Sequence, residues 1–447
     1  MTVDTDPRDD LEEYDPFEEF NRSAGAGLVD NPYPLFALAR AQGPIIKEDL
    51  AAPGAIVDAA NAANEGESVT SFGSYGLVGD DDTSGFAAAV ELEGVDLPDV
   101  FTTFGFDAGQ QVLRDGEIFS SKGYADVMGP VLGNAILLMD EPEHHHYRSL
   151  VQQAFTRRSM DAWETEAVLP IIDEHIDAFV DDKRADLVRQ LTFPFPVAVI
   201  ARLLGLPRDD LPQFHRWAVE LISVSFDWDR GIAASQTLRD YFAGILAERR
   251  AHPSDDMISI LAAAELDGEH LSDEDIFAFL RLLLPAGAET TYRSSSNLLT
   301  GLLTHPEQLA SLRADPGLMP QAIEEGLRWE PPLLTIMRTA TRDTVVDGVD
   351  VRAGSVVIVN MGSANHDEKY WDDPEAFDIH RKPRQHLAFA FGPHMCLGIH
   401  LARMETRAVL RRIFERLPNV RLDPDAPPPT ITGMTFRAPA SLPVVWD

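Results

Sequence analysis

Apolar residues recur at helical spacing in Leu35-Phe36-Ala37-Leu38-Ala39, directly after Asn31-Pro32-Tyr33-Pro34. That arrangement predicts a helix opened by proline in its first turn. The helical period then holds from Arg157 to about Leu266, punctuated by Pro194, Pro196, Pro207, Pro212 and Pro253, with Ile200, Leu203, Leu204 and Leu206 as candidate core. Phe277 to Leu303 reads as one long apolar helix. Pro285 removes one backbone bond inside it and predicts a kink there. Between 333 and 360 the period changes: Val345, Val349, Val351, Val356, Val357, Ile358 and Val359 follow a strand pattern, with a turn at Asp347-Gly348. A last amphipathic run (Ile399, Leu401, Ala402, Met404, Ala408, Val409) follows the single cysteine. These elements predict a mainly α fold with small β-sheets in one large domain.

Composition narrows the classes. One cysteine in 447 residues rules out an internal disulfide and a cysteine-rich zinc site. A net charge of −36 argues against nucleic acid and anionic membranes as partners. Nothing near Met1 reads as a signal peptide and no apolar run spans a bilayer, so the expected location is cytoplasmic and the expected state a monomer. Lysine occurs only at positions 47, 122, 183, 369 and 382. Acid excess with scarce lysine suits a saline habitat, and a GC-rich genome gives the same bias; comparing stability with and without molar salt decides. Residues 1–28 are expected to be an acidic, solvated tail, and 29–447 the folded domain. Within it, part of the acidic, Gly- and Ala-rich stretch 47–98, which includes Asp80-Asp81-Asp82, is expected to be an insertion.

The chemistry concentrates in Phe389-Ala390-Phe391-Gly392-Pro393-His394-Met395-Cys396-Leu397-Gly398. Glycines on both sides of the cysteine let backbone approach a flat ligand, and a helix N-terminus stabilises a thiolate. Taken alone, the cysteine also suits a buried structural thiol. The stretch resembles the cysteine-ligand loop of the cytochrome P450 (haem-thiolate monooxygenase) family, with Ala390 where that family usually has glycine, a change expected only to tighten the turn. The resemblance covers residue 31 onward, apart from 47–98. It implies Cys396 as axial ligand of a non-covalent haem b, with Phe389 and Gly398 among the cofactor-binding residues.

Other motifs follow in the order the family shows. His144 and Arg148 share a helix face in Glu143-His144-His145-His146-Tyr147-Arg148. A His-rich run could hold a metal, but the family places this His and Arg on a haem propionate. Arg338 and His394 match further propionate contacts. Pro285-Ala286-Gly287-Ala288-Glu289-Thr290-Thr291 resembles the family's oxygen-activation motif, with Glu for the commoner Asp. There Gly287 would leave room for dioxygen, Thr290 would present a hydroxyl on the oxygen-activating side, and Glu289 would link it to a proton supply. Glu325, Arg328 and Arg381 match a buried ion network that braces the cysteine loop. Leu333, Leu334 and Ile336 occupy the family's pocket wall. Pro427 to Val445 resembles its closing hairpin, with Gly433, Met434 and Thr435 at the pocket. Leu221 to Trp228 reads either as a substrate entrance or as an ordinary helix end.

The resemblance therefore implies a monooxygenase that hydroxylates or epoxidises a small, largely apolar organic substrate with O2. No flavin or nicotinamide fingerprint is present, so electrons are expected from a ferredoxin and its reductase. Arg403, Arg407, Arg411 and Arg412 form either their basic docking patch or a solvated helix face. Two rivals stand beside this: a peroxide-driven peroxygenase, and a haem-fold protein that only binds a ligand or recruits a partner. Turnover with peroxide against reductase-supplied electrons separates the first, and product formation the second.

Overall fold

The structure is a computed structural model that describes residue 17 and residues 29–48, 98–222 and 228–447. The expected insertion at 47–98 lies, but for its ends, outside the described residues. Those ends are strands. β1 (Ile45–Lys47) pairs antiparallel with β2 (Val100–Thr103), Lys47 opposite Phe101, so the intervening chain leaves and returns at neighbouring points. Loop length adds little cost once the ends are fixed. The sheet continues through β3 (Phe119–Ser120), β4 (Thr335–Ala340) and β5 (Val356–Asn360), in the spatial order β1-β2-β5-β4-β3. β5 runs parallel to β2 and antiparallel to β4. The strand pattern of 333–360 is thus borne out, and Asp347 and Gly348 make the expected turn at φ 44° and 83°.

Smaller sheets of two or three strands lie elsewhere, and most of the remainder is helical: α1 (Tyr33–Gln42), α2 (Phe106–Arg114), α3 (Glu143–Val151), α4 (Leu169–Asp177), α5 (Pro194–Leu203), α6 (Leu211–Ile222) and α7 (Trp228–Ala251). Then come α8 (Asp273–Leu284), α9 (Thr290–Thr304), α10 (Met319–Trp329) and α11 (Ile399–Arg416). A capping box starts α8: Ser272 Oγ accepts from Asp275 N at 3.2 Å while Asp275 Oδ2 accepts from Ser272 N at 3.0 Å. The expected single helix Phe277–Leu303 is in fact two α-helices joined by a π-helical turn, Pro285–Glu289. Pro285 has no N–H to continue the ladder, and the wider turn absorbs the break.

α9 runs through the main core with Leu298, Leu299 and Leu302 buried, yet it also buries Ser294, Ser295, Ser296, Asn297 and Thr300. Most of these polar groups have partners, as burial demands. Ser296 Oγ lies 2.7 Å from Thr192 Oγ1, and Asn297 Nδ2 donates to the carbonyls of Glu330 and Arg437 at 3.1 and 3.0 Å. A smaller core on the sheet side gathers Phe101, Phe106, Val357, Val359 and Leu387.

The C-terminal stretch makes the expected hairpin, Ile431–Thr432 pairing with Ala438–Pro439. Buried Arg437 binds Glu330 at 2.9 Å and the carbonyls of Gly433 and Asp30 at 2.6 and 2.8 Å, tying this hairpin to the start of the domain. Of residues 1–28 only Phe17 is described. It is buried, with its ring 4.9 Å from Phe193 and 6.4 Å from Tyr292. No helix among the described residues is long and apolar enough to cross a membrane.

Candidate active site

The cysteine loop is held by its own backbone. Cys396 N donates to Phe389 O at 3.0 Å, and Met395 N to Gly392 O at 3.0 Å. Gly392 has φ 72° and passes so close to the Leu113 carbonyl that any Cβ would collide with it. Ala390 also lies in the left-handed region, at φ 58°. The expectation that it merely tightens the turn is therefore corrected: the backbone asks for glycine, and alanine carries the steric penalty. Burial pushes the Cys396 thiol up, opposed by the Gly398 N–H and by the charges of Arg148 and Arg403. Gly398 is also the residue that opens α11.

Behind the loop stands the expected ion network. Arg328 Nε and Nη2 reach Glu325 at 2.8 Å each, and Arg381 Nε reaches it at 3.2 Å. The remaining Arg328 donors go to the carbonyls of Asn365, Pro374 and Ala376. Nothing in this network lacks a partner.

The four residues expected at propionates converge in front of the loop. The His144 and His394 rings lie 4.0 Å apart. His394 Nε2 is 3.2 Å from Ser121 Oγ, and Arg148 Nη2 donates to Met395 O at 2.7 Å. Arg338, 3 % exposed, donates to its neighbour's carbonyl at 2.7 Å. Neither Arg148 nor Arg338 forms an ion pair with a carboxylate among the described residues, and burial pushes both guanidiniums down. Burial also pushes His144 down, and His394 down to about 3 with help from the nearby cations. Glu141 fixes the His144 ring from Nδ1 at 3.1 Å, leaving Nε2 buried without a partner. Of the other two histidines in the run, His145 is exposed and His146 turns to Glu269 at 3.2 Å, so the three do not share one centre. Tyr124, whose hydroxyl accepts from Met337 N at 2.6 Å beside Arg338, joins Ser121 and Glu141 as site residues outside the sequence expectation. They stand among other polar and charged residues, so the sequence carries no sign that sets them apart.

On the opposite side, Thr290 Oγ1 donates to Ala286 O at 2.7 Å across the π turn. The structure turns Glu289 elsewhere: its carboxylate takes Arg293 Nη2 at 3.0 Å and Nε at 3.2 Å, and both side chains are buried. Burial raises the Glu289 carboxyl, opposed by Arg293. A Cβ on Gly287 would face Ile200 Cδ1 at 3.0 Å, so that glycine also admits α5. Thr291, the second threonine, donates to Glu405 Oε2 at 3.0 Å. Burial pushes Glu405 up to about 8.

Leu334 is fully buried, while Leu333 and Ile336 are half-buried beside Phe391 and Ala390 in the sheet-side core. Leu334 N donates to Thr435 O at 2.8 Å, and Met434 packs with Leu334 and Phe36, so the closing hairpin sits where expected. Of 221–228, residues 223–227 lie outside the described residues. The α11 arginines, read either as a docking patch or as a solvated helix face, all have acidic neighbours. Arg403 pairs with Glu324 at 2.6 Å, Arg407 with Glu164 at 3.0 Å, Arg412 with Asp173 at 3.0 Å and Glu415 at 2.8 Å. Arg411 lies 4.0 Å from Glu164 and 3.9 Å from Glu415. Acids from three other elements neutralise this face.

The family model described as cytochrome P450 matches residues 221–442. The steroid C26-monooxygenase of Mycolicibacterium smegmatis is 39 % identical over 342 residues, covering 74 % of this chain and 84 % of that protein. Cyclomarin C epoxidase CymV of Salinispora arenicola is 36 % identical over 343 residues, covering 73 % and 85 %. Among solved structures, the testosterone complex of CYP109E1 from Bacillus megaterium aligns with a TM-score of 0.76 at 30 % identity, covering 93 % of this chain and 99 % of that one. With that fold, those relatives and a lone cysteine loop, the chain belongs to the cytochrome P450 family and is an oxidoreductase of the monooxygenase class whose cofactor is haem b.

Proposed function

We propose that the protein takes electrons from a ferredoxin and its reductase and uses them to oxygenate a small, largely apolar substrate of about steroid size. The carrying observation is the set of cations beside the lone cysteine: the buried Arg338 and half-buried Arg148 guanidiniums with no ion-paired carboxylate among the described residues, and a buried His144 nitrogen with no partner among them. Buried charge of one sign calls for its complement. Haem b brings two carboxylates on one edge and an iron for the sulfur, so these residues fit it. His144, Arg148, Arg338 and His394 hold the propionates, Cys396 ligates the metal, and Phe389 and Gly398 border the ring.

Bound haem supplies reductive activation of dioxygen and transfer of one oxygen atom to a C–H bond or double bond. The Gly398 N–H and the Arg148 and Arg403 charges oppose the burial that raises the Cys396 thiol, and would favour the thiolate once the sulfur ligates iron. Thr290 keeps its hydroxyl on the Ala286 carbonyl at rest and can turn it to a proton acceptor in the pocket. Glu289, held by Arg293, stores and releases the proton one residue away. Leu333 and Ile336 offer apolar walls, which keeps water from competing.

The steroid size class is carried over from the M. smegmatis enzyme's name and from testosterone in the structural neighbour. The ferredoxin docks without a cationic patch on α11, since those arginines are paired; exposed Met395, beside Cys396, marks the entry for electrons. The test is the carbonyl adduct of the reduced haem protein. The red-shifted band of a thiolate ligand is expected in the wild type and absent in Cys396→Ser. The same band in Cys396→Ser would overturn the assignment. A steroid panel scored by spin-state shift tests the substrate class.

A further inference from the structure

Behind the π turn, on the side that Glu289 faces, lies a small cavity of about 10 Å3 lined by Phe193, Val197, His215, Val219, Glu289 and Tyr292 among others. Most of that lining is apolar. Its titratable members are a carboxylate from Pro285–Glu289, an imidazole from α6 and the Tyr292 phenol. His215 Nε2 is buried and has no hydrogen-bond partner among the described residues. An imidazole nitrogen in that state costs stability unless something else fills its lone pair or takes its proton. The imidazole and the Glu289 carboxylate are polar groups in an otherwise apolar lining, and the space has room for about one ordered water between them. His175 of α4 lies near enough to His215 for its charge to disfavour a proton there. His175 is half-buried, next to exposed Glu174. A line of protonatable groups thus leads from the surface, through α4 and α6, to the carboxylate beside Thr290.

We propose that His215 is the relay by which protons reach Glu289 from solvent, with His175 as its outer neighbour and cavity water as its inner link. This rests on the reading of Glu289 and Thr290 as the proton-managing pair. A proton taken up on one nitrogen of the neutral ring is released from the other to water and so to the Glu289 carboxylate. Nothing is oxidised or reduced, and each proton delivered is replaced by one from solvent. Burial keeps His215 neutral, with its ring pushed down to about 4, so it offers one N–H and one lone pair, as a relay must. Arg293 keeps Glu289 in place as the receiving end rather than letting it swing to His215. His215 would be a positioning residue for the reaction, acting through Glu289.

The test uses the haem-loaded protein fed by a surrogate ferredoxin–reductase pair. Oxygen consumption without organic substrate is followed in H2O and D2O, because reducing dioxygen consumes protons whether or not a product is made. His215→Phe is expected to slow it by about tenfold and to enlarge the solvent isotope effect, while the haem spectrum stays unchanged. His215→Gln keeps a similar volume and hydrogen bonding but cannot relay, so it should behave alike. A normal rate and isotope effect in both, with Glu289→Gln impaired, would overturn the relay and leave the Glu289 reading standing. If Glu289→Gln is also normal, that reading falls and the relay with it. A second readout needs no turnover: a crystal structure of the haem-loaded protein should show water within about 3.2 Å of His215 Nε2. A dry cavity there would refute the inference.

Discussion

Two groups of buried charge flank the cysteine loop, and they are built on opposite terms. Behind it, Glu325 answers Arg328 and Arg381, and carbonyls take the remaining Arg328 donors. In front of it, Arg148 and Arg338 donate to backbone carbonyls and form no ion pair with a carboxylate among the described residues, and His144 keeps a nitrogen without a partner among them. The first group is complete without a ligand; the second is complete only with one. A buried charge without its counterion is costly to the protein alone, so its retention marks a site whose counterion arrives from outside.

The harshest way to break this contrast is Glu325→Ala. It strands two cations, and about 3–5 kcal/mol of stability should go from the haem-free and haem-loaded protein alike. Denaturant melts of both forms measure it. Normal stability and haem loading would show that the network is ornamental. Arg338→Met should behave differently. Removing a desolvated cation should leave the haem-free form as stable or more so, while haem binding weakens by about 1.5–3 kcal/mol, the worth of a charge-assisted hydrogen bond. If Arg338→Met instead destabilises the haem-free protein as Glu325→Ala does, the two clusters are not different in kind.

Glu405 sharpens the comparison from a third position. It is a buried carboxyl whose one hydrogen-bond partner among the described residues is the Thr291 hydroxyl, and it answers by staying protonated up to about pH 8. Between its ordinary 4.5 and that value the folded state holds a proton that the unfolded state has lost. Its contribution is therefore fully present below 4.5 and lost as pH rises toward about 8, with a slope of about 1.4 kcal/mol per pH unit. Glu405→Gln should remove that component from a stability profile measured across the window. An unchanged profile would mean that Glu405 is ionised and has a counterion.

What could be read in advance follows from sequence distance. The cysteine loop, the Glu289-Thr290 pair and the His144–Arg148 spacing are local, so the chain displays them directly. The π turn was half legible: Pro285 announced an interruption, but which helical form absorbs it depends on α5 packed against Gly287. Arg293 stands one turn after Glu289 and was readable by spacing. The partners of Arg403, Arg407 and Arg412 were not, because Glu324, Glu164 and Asp173 come from remote elements. Glu405 belongs with these; only the packing of α9 on α11 brings Thr291 to it.

The gentlest test concerns the backbone between the two clusters. Ala390 holds φ 58°, where an L residue with a Cβ is penalised by roughly 1–2 kcal/mol, and glycine is not. Ala390→Gly should relieve that strain. Glycine also gives the unfolded chain more freedom, which takes back about 0.4–1 kcal/mol. The first quantity exceeds the second over most of its range, so a net gain of about 0.5 kcal/mol is expected, read as a small rise in the melting temperature of the haem-free protein. Because Ala390 N donates to Leu387 O and Cys396 N returns to Phe389 O, the turn is fixed from both ends and the thiolate should not move. The carbonyl-adduct band should therefore be unchanged. A loss of stability would mean that the Ala390 methyl, which packs in the sheet-side core near Phe391, is worth more than the strain it brings.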